Sequence, residues 1–434
     1  MAHRILIVGG GAGGLELATR LGRTLGKHGK AKVTLVDREL THIWKPLLHE
    51  VAAGSLNTSE NELNYVAQAK WNNFEFEIGT LCGLDRDAKQ IHLASVKDDK
   101  GNEIVAKRAL DYDTLVLSVG SRTNDFNTPG AAENCIFLDS LEQAINFHKL
   151  LLNHYLSAHS SQSTDGKISV AIVGAGATGV ELAAELHNAA RELAAYGLKG
   201  IQPQNMDITI IEAGPKVLPA LSDRISKPVH ETLEKLGITV LTSSPVKEVT
   251  PEGMNTVDGR SIPASLKVWA AGVRGHEFMK EFGGLETNRI DQLVVQQNLQ
   301  TTRDENIFAF GDCAACPLGD GSERTVPPRA QAAHQQASLL VKSITIRVEG
   351  KTTPLPNYKY KDNGSLVSLS LFSAVGNLMG NLMGDIHVEG WLARMFYMSL
   401  YRMHQMALYG VIRTGLLMVS DRVGRSTVPR LKLH

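Results

Sequence analysis

Six residues, Gly9-Gly10-Gly11-Ala12-Gly13-Gly14, stand between an apolar run, Ile5–Val8, and a helical pattern that begins at Leu15. The G-x-G-x-x-G spacing suits a dinucleotide. Gly9 permits a tight turn, Gly11 lets a pyrophosphate reach the backbone, Gly14 allows close helix packing, and the helix N-terminus attracts the anion. A second apolar strand, Val33–Val36, ends at Asp37, an acidic group placed for ribose hydroxyls. The pattern then returns. Ile168–Val173 leads into Gly174-Ala175-Gly176-Ala177-Thr178-Gly179, a helix follows from Val180, and the strand Asp207–Ile211 ends at Glu212. More than the usual ~20 residues separate Gly179 from Glu212, and the excess, Arg191–Met206, reads as an insertion after the helix. No arginine stands beside Glu212, which favours a free ribose 2′-hydroxyl and so NADH over NADPH.

Two cradles imply two dinucleotides, a flavin held in one and a nicotinamide visiting the other to give it hydride. The elements that must position them are alternating strands and helices, an α/β architecture of two Rossmann-like domains. These residues resemble the two-dinucleotide-binding-domain, glutathione reductase-like flavoproteins. The resemblance implies FAD on Gly9, Gly10, Gly11, Ala12, Gly13, Gly14 and Asp37, and NADH on Gly174, Gly176, Thr178, Gly179, Glu181 and Glu212. It makes Thr301–Asp312 a third flavin motif, with Gly311 beside Asp312 on the ribitol chain. Tyr112–Gly120 and Val268–Val273 resemble the closing strands, bringing Gly120 to FAD and Ala271 and Gly272 to NADH. Leu81, in an expected strand Phe76–Leu84, takes the place near the adenine, and Lys45 and Pro46 join the flavin set.

The superfamily's disulfide reductases carry C-x-x-x-x-C facing the flavin, where this chain reads His42–Glu50 with no cysteine. Thiol–disulfide exchange needs that paired sulfur, so a dithiol relay is excluded. Cys82, Cys135, Cys313 and Cys316 do not fall where a sulfide:quinone oxidoreductase needs its pair. Cys313-x-x-Cys316 supplies two of four zinc ligands, and a structural role is expected without a metal. Ala330–Gln336 resembles the A-Q-x-A-x-Q quinone motif of type II NADH:quinone oxidoreductases, most nearly their proteobacterial branch. That resemblance spans essentially the whole chain. It implies a quinone, ubiquinone or menaquinone, at Gln331 and Gln335, with Gln331 also beside the flavin. Glu181 is expected in the first turn of its helix; the bland reading is a helix-start acid, and the resemblance adds a catalytic role in hydride transfer or proton relay. Asp362-Asn363-Gly364 resembles a loop approaching the flavin and is assigned no chemistry. A sulfide-linked or other FAD/NADH reductase, and a nucleotide-sensing flavoprotein, are the alternatives.

The 434 residues carry 45 basic and 45 acidic side chains, are 43% hydrophobic and 21% charged, and hold four cysteines. This is a folded globular composition in which nucleic acid is not an expected partner, disulfides are not a framework, and a reducing, cytoplasmic-side location is the default. No apolar run reaches the ~18 residues of a spanning helix, so proton pumping has no path. Asn363–Gly384 reads as a hairpin. From Ile386 to His434 seven Lys/Arg stand against Glu389 and Asp421, a local charge of +5. A helix over Trp391–Tyr409 places Leu392, Phe396, Leu400, Met403 and Ala407 on one stripe and Arg394, Arg402 and Gln405 elsewhere. An ordinary helix laid on its own core is one reading; a basic amphipathic helix on anionic lipid is favoured, since the acceptor is lipid-soluble. The expected organisation is a flavin domain over 1–155, a nicotinamide domain over 156–285 reached through a Ser-rich linker at Ser157–Gly166, a flavin-domain return over 286–345, and a membrane-associating region over 346–434. Peripheral attachment to the cytoplasmic face of a bacterial inner membrane follows from the resemblance, and a homodimer is left open.

Overall fold

The computed structural model describes residues 2–56, 58–160, 167–196, 203–362, 364–369, 373–378, 386–389 and 401–424. Strand β1 (His3–Val8) runs into helix α1 (Ala12–Leu21), and β2 (Ala31–Asp37) returns beside β1. Two short helices follow, α2 (Leu48–Ala53) and α3 (Tyr65–Asn72), then β3 (Glu75–Ile78) and β4 (Thr114–Leu117). Next come β5 (Ile136–Phe137), α4 (Leu141–Ser160), β6 (Ile168–Val173), α5 (Ala177–Ala195) and β7 (Met206–Ile211). The chain continues through β8 (Thr239–Leu241), β9 (Leu266–Trp269), β10 (Ile307–Ala309) and α6 (Ala330–Val348).

Two five-stranded parallel sheets result, in the orders β10-β4-β1-β2-β3 and β5-β9-β6-β7-β8. In each, the strand before the glycines lies between the strand that ends in the acidic residue and the closing strand. Ile5 pairs with Val33 on one side and Thr114 on the other, as Val170 pairs with Ile208 and Leu266. Strands covered by helices on both faces need apolar residues on both, which is why Val33, Leu35 and Val36 are all buried. The first core gathers Ile5, Leu15, Leu35, Leu115 and Ile307; the second gathers Ile172, Leu182, Ile210 and Val268, with Phe147 and Leu151 of α4 and Val51 of α2 packed in.

Several elements depart from the expected ones. Helix α4 runs through Ser160, so the linker's first residues are helical and 161–166 lie outside the described residues. Strand β5, within the span 1–155, is hydrogen-bonded into the second sheet against β9, whereas β10 returns to the first against β4. The single strand expected over Phe76–Leu84 is two. Glu75–Ile78 is parallel to β2, while Leu81–Asp85 belongs to a separate antiparallel sheet. Helix α5 continues to Ala195 and takes up the start of the expected insertion; 197–202 lie outside the described residues. The hairpin forms as β11 (Gly364–Leu369) and β12 (Ser373–Leu378), antiparallel from Gly364↔Leu378 to Leu369↔Ser373, with β13 (Ile386–Glu389) beside β12.

Residues 401–409 form a helix, α7, Gly410 breaks it at φ +81°, and α8 (Val411–Gly424) follows. Residues 391–400 of the expected amphipathic helix lie outside the described residues. Over 401–409 Met403, on the stripe expected to face lipid, and Met406 are exposed, while Arg402, His404 and Gln405 are buried with Tyr401 and Leu408. Arg402 donates to Gln405 Oε1 at 2.6 Å. The helix thus seats a mixed polar face on the protein and turns its methionines outward, and Arg402 is not on an outer cationic side. Helix α8 was not expected at all. Val411 is 74% and Ile412 82% exposed, and Leu416, Met418 and Val419 are also exposed.

Candidate dinucleotide and electron-transfer site

The two glycine turns are near copies. Gly9 has φ +100° and Gly174 +99°, a region only glycine enters at no steric cost. A Cβ on Gly14 would lie 1.9 Å from the Gly9 carbonyl oxygen, and one on Gly179 2.0 Å from that of Gly174. A Cβ on Gly13 would strike the Phe310 ring and come within 3.2 Å of Ala333, so this glycine lets α1 lie against α6. Gly11 and Gly176 differ in kind: a Cβ there meets nothing within 4 Å. Each is also the N-cap of its helix and supplies no side-chain cap to the first N–H groups of α1 and α5, which a helix leaves without an intrahelical partner. An anionic pyrophosphate fits both cradles. Ala12 opens α1 and Thr178, exposed, lies in the first turn of α5.

The acidic strand ends do more than the motif required. Asp37 Oδ2 accepts from the Gly10 N–H at 2.6 Å, and Glu212 accepts from the N–H groups of Ala175 and Gly214, both at 2.7 Å. Each carboxylate therefore braces its own turn. Burial pushes the Asp37 carboxyl up, against backbone hydrogen bonds from Glu39 and Gly10. Tyr65, in α3, completes the first turn by donating to the Gly10 carbonyl at 2.8 Å, a residue the motif did not point to.

At the same end of each sheet, just past the closing strand, stands a second glycine, Gly120 or Gly272, both with φ +73°. Gly120 faces open space, whereas a Cβ at Gly272 would strike Phe126 and Asn124; Ala271 packs beside Gly174. Two residues beyond each glycine the domains meet: Arg122 and Arg274 exchange both backbone hydrogen bonds, each at 2.9 Å. The guanidinium of Arg274 pairs with Asp291. This backbone bridge sets the two cradles against one another.

Asp312 lies where β10 meets α6, and Ser121 donates to its carboxylate at 3.1 Å. Burial pushes this carboxyl up, countered by Lys45 and that hydrogen bond. Lys45 donates to the Ser121 carbonyl and to Asp139, and Pro46 begins the turn behind it. Gly311, at φ +72°, gives its N–H to Gln336 at 2.8 Å. Gln336, buried, thus ties the third motif to α6, although the quinone pattern singles out its neighbours. Gln331 donates to Tyr360 and Asp362, and Asp362 faces Arg329 at 3.6 Å; Asn363 lies outside the described residues. Gln335 donates to the Lys361 carbonyl at 2.8 Å and accepts from Tyr358 and the Lys361 N–H, both at 3.1 Å. Its amide holds the strap Tyr358–Lys361. Leu81 is buried at the start of its strand.

Glu181 is the fifth residue of α5, beyond the first turn, so the helix-start reading does not describe it. It is buried, with Oε2 3.6 Å from Nδ1 of His49 in α2. Burial lowers His49 to about 4, against the opposing charge of Glu185 one turn further along α5, so the imidazole is neutral near pH 7. Cys313 and Cys316 are buried and unpaired, and burial pushes both thiols up to about 12. Among the described residues no cluster of three or more metal-binding side chains occurs.

The pyridine nucleotide-disulphide oxidoreductase family model matches residues 3–337. A type II NADH:quinone oxidoreductase from Haemophilus influenzae is 46% identical over 99% of both chains, and one from Staphylococcus aureus is 30% identical over 87% of this chain and 90% of its own. The chain belongs to the type II NADH:quinone oxidoreductases. Among solved structures, NDH2 from Plasmodium falciparum in complex with NADH has a TM-score of 0.83 at 20% identity over both whole chains. The sulfide:quinone oxidoreductase of Aquifex aeolicus has a TM-score of 0.72 at 18% identity, over 99% of this chain and 96% of that one. Both share the two-sheet fold with this family member, in which Cys82, Cys135, Cys313 and Cys316 are all free thiols.

Proposed function

We infer that this protein oxidises NADH and reduces a membrane quinone through FAD, and that the first cradle, with Asp37, Lys45, Gly120 and Asp312, holds FAD while the second, with Glu212, holds NADH. The observation that carries the reading is the pair of equivalent open cradles locked together by the Arg122–Arg274 bridge, in a chain so similar to the Haemophilus protein. Bound FAD would supply the hydride acceptor and two-electron carrier between nicotinamide and quinone. The chain's residues do the rest. Helix N-termini bind the diphosphates, Glu212 accepts the ribose hydroxyls, and Asp312, held by Ser121 and facing the charge of Lys45, receives a ribitol hydroxyl.

Glu181, facing neutral His49, is the side chain proposed to organise hydride transfer or to relay a proton. Gln331 and Gln335 are proposed at the quinone edge, Gln331 presenting its amide and Gln335 holding the Tyr358–Lys361 strap in place. The flavin domain then comprises the chain up to Gly120 together with the return from about 286, and the crossing to the nicotinamide domain falls between Gly120 and Ile136, where β5 joins the second sheet. Among the described residues no helix is long and apolar enough to cross a membrane. The outward row Val411, Ile412, Leu416, Met418 and Val419 supports an interfacial seat, which is assigned to the cytoplasmic face of the inner membrane.

Steady-state oxidation of NADH by the purified protein, with and without short-chain ubiquinone or menaquinone and with NADPH as control, tests this. Quinone-dependent turnover with NADH but not NADPH is expected. Flavin reduction by NADH with no effect of quinone would overturn the acceptor assignment.

A further inference from the structure

A cleft of about 240 Å³ opens where α7 ends and α8 begins, lined by Arg23, Trp71, Asn72, Leu408, Tyr409 and Arg413. Two guanidinium groups share it, close enough that the charge of Arg413, added to burial, lowers the pKa of Arg23. Like charges in one cleft are costly unless something between them is anionic. Among the described residues neither arginine has a carboxylate within 4 Å. Arg23 donates from Nε to Asn72 at 2.8 Å and from its terminal nitrogens to the carbonyls of Ala407 and Leu408, at 3.2 and 2.5 Å. It therefore caps the end of α7, and of the five guanidinium N–H groups two remain. Arg413 stands over the Trp71 ring, 5.3 Å from its centroid, and Trp71 itself is 54% exposed.

The surroundings say what kind of anion belongs there. Arg413 lies between Ile412 and Leu416 on α8, whose apolar side chains are turned outward. Trp71 of α3 is exposed on the other wall, with Lys70 before it in sequence. A ligand that fills the cleft with negative charge and continues over Ile412 and Leu416 with hydrocarbon is amphiphilic, and an aromatic ring at the boundary matches an interfacial depth. A free anion would use the arginines and leave the apolar row uncovered.

We propose that this cleft is a binding site for the phosphate of an anionic glycerophospholipid, held by Arg413 and the remaining N–H groups of Arg23, with the acyl chains along α8. The proposal rests on the interfacial seat inferred above and adds a specific headgroup contact to it. Trp71 orients the planar Arg413 fork, so the site reads geometry as well as charge.

The test is co-sedimentation of the full-length, flavin-loaded protein with vesicles of phosphatidylcholine alone and of phosphatidylcholine mixed with phosphatidylglycerol. The variants are Arg413→Gln, Arg413→Lys and, as a charge-matched control further along α8, Arg422→Gln. Long-range attraction to an anionic surface is worth about fivefold per cation, whereas hydrogen bonds to a charged group are worth roughly tenfold or more. R413Q is expected to lose roughly tenfold or more in affinity for the mixed vesicles and nothing for phosphatidylcholine. R413K should recover only part, and R422Q should lose about fivefold at most. Flavin absorbance and melting temperature verify that each variant is folded. Equal losses in R413Q and R422Q would overturn the site in favour of diffuse charge. Equal losses on both vesicle types would make Arg413 a structural support of α8. Displacement from mixed vesicles by inorganic phosphate replacing chloride at matched ionic strength would assign the cleft to free phosphate instead. Wild-type binding to neither vesicle would overturn the interfacial seat together with this site, whereas binding without preference would overturn this site alone.

Discussion

Alanine at Gly11 and alanine at Gly14 differ by one turn of helix and should have opposite consequences. At Gly14 the new methyl would sit 1.9 Å from a backbone carbonyl of the same turn and 2.6 Å from Ser118 Oγ, neither of which can retreat without reshaping the Gly9 turn. A forced backbone shift in a packed core costs about 1–3 kcal/mol or more, so the apoprotein itself should be destabilised. At Gly11 the methyl meets no protein atom within 4 Å, and φ −61° is open to alanine. Folding of the apoprotein should change by less than about 1 kcal/mol, the loss of flexibility in the unfolded chain offsetting the poorer cap. The methyl does occupy the approach to the α1 N–H groups. Loss of one hydrogen bond to a charged phosphate is worth about 1.5–3 kcal/mol, a fall of roughly ten- to a hundredfold in FAD affinity. Gly176→Ala is the mirror experiment: flavin content unchanged, and KM for NADH raised by a similar factor. Flavin absorbance after gel filtration, apoprotein melting and NADH titration with a soluble acceptor separate the three. Loss of flavin in G176A with retention in G11A would exchange the two cradles. Destabilisation of the apoprotein in G11A comparable to that in G14A would refute the reading of Gly11 as facing open space.

Two further perturbations follow from burial. His404 of α7 lies with Nε2 3.2 Å from Nε2 of His42 and its ring 4.4 Å from that of Trp44, and both histidines are buried. Burial lowers His42 to about 4 and holds His404 well below its ordinary value, with the charges of His42 and His334 adding to the latter. The unfolded chain therefore takes up protons first as pH falls, and stability is lost from about 6.5 downward until the folded pKa near 4 is reached. For His42 the loss between about pH 7 and about pH 5 is about 2 kcal/mol. Denaturant unfolding of His42→Gln should show that much less pH dependence, and an unchanged dependence would refute the neutral pair. The thiols make the second case. Cys82 is exposed whereas Cys135, Cys313 and Cys316 are buried with pKa values raised to about 12, so a thiolate-specific reagent should label one cysteine in the native protein and four after denaturation. Rapid labelling of Cys313 or Cys316 in the native state would reopen a redox role.

The chemistry-bearing turns were legible in the sequence because each is local. Gly9–Gly14 and Asp37, and again Gly174–Gly179 and Glu212, combine a strand, a turn and a helix whose hydrogen bonds close within one βαβ unit. The missing dithiol was legible for the same reason, since it needs only a short spacing to be checked. Helix α7 turns Met403 of the expected lipid stripe outward, but Arg402 and Gln405, expected on a cationic side, are buried against the protein. Its register is decided by His42, Trp44 and Arg23, more than 350 residues earlier, and a wheel holds no record of them. The expected single strand at Phe76–Leu84 failed because Gly79 ends one sheet before Leu81 begins another.

What the sequence determined by itself is therefore the pair of cradles, their acidic partners and the lack of a C-x-x-x-x-C pair over His42–Glu50, each set by residue type at short range. Only the tertiary structure decided that Arg122 joins Arg274, that Glu181 of α5 meets His49 of α2, that Gln336 holds Gly311, and that Arg23 and Arg413 share one cleft. These contacts join residues from 25 to about 390 positions apart. Packing of whole helices and sheets brings them together, and no periodicity along the chain encodes which side chains will then face one another.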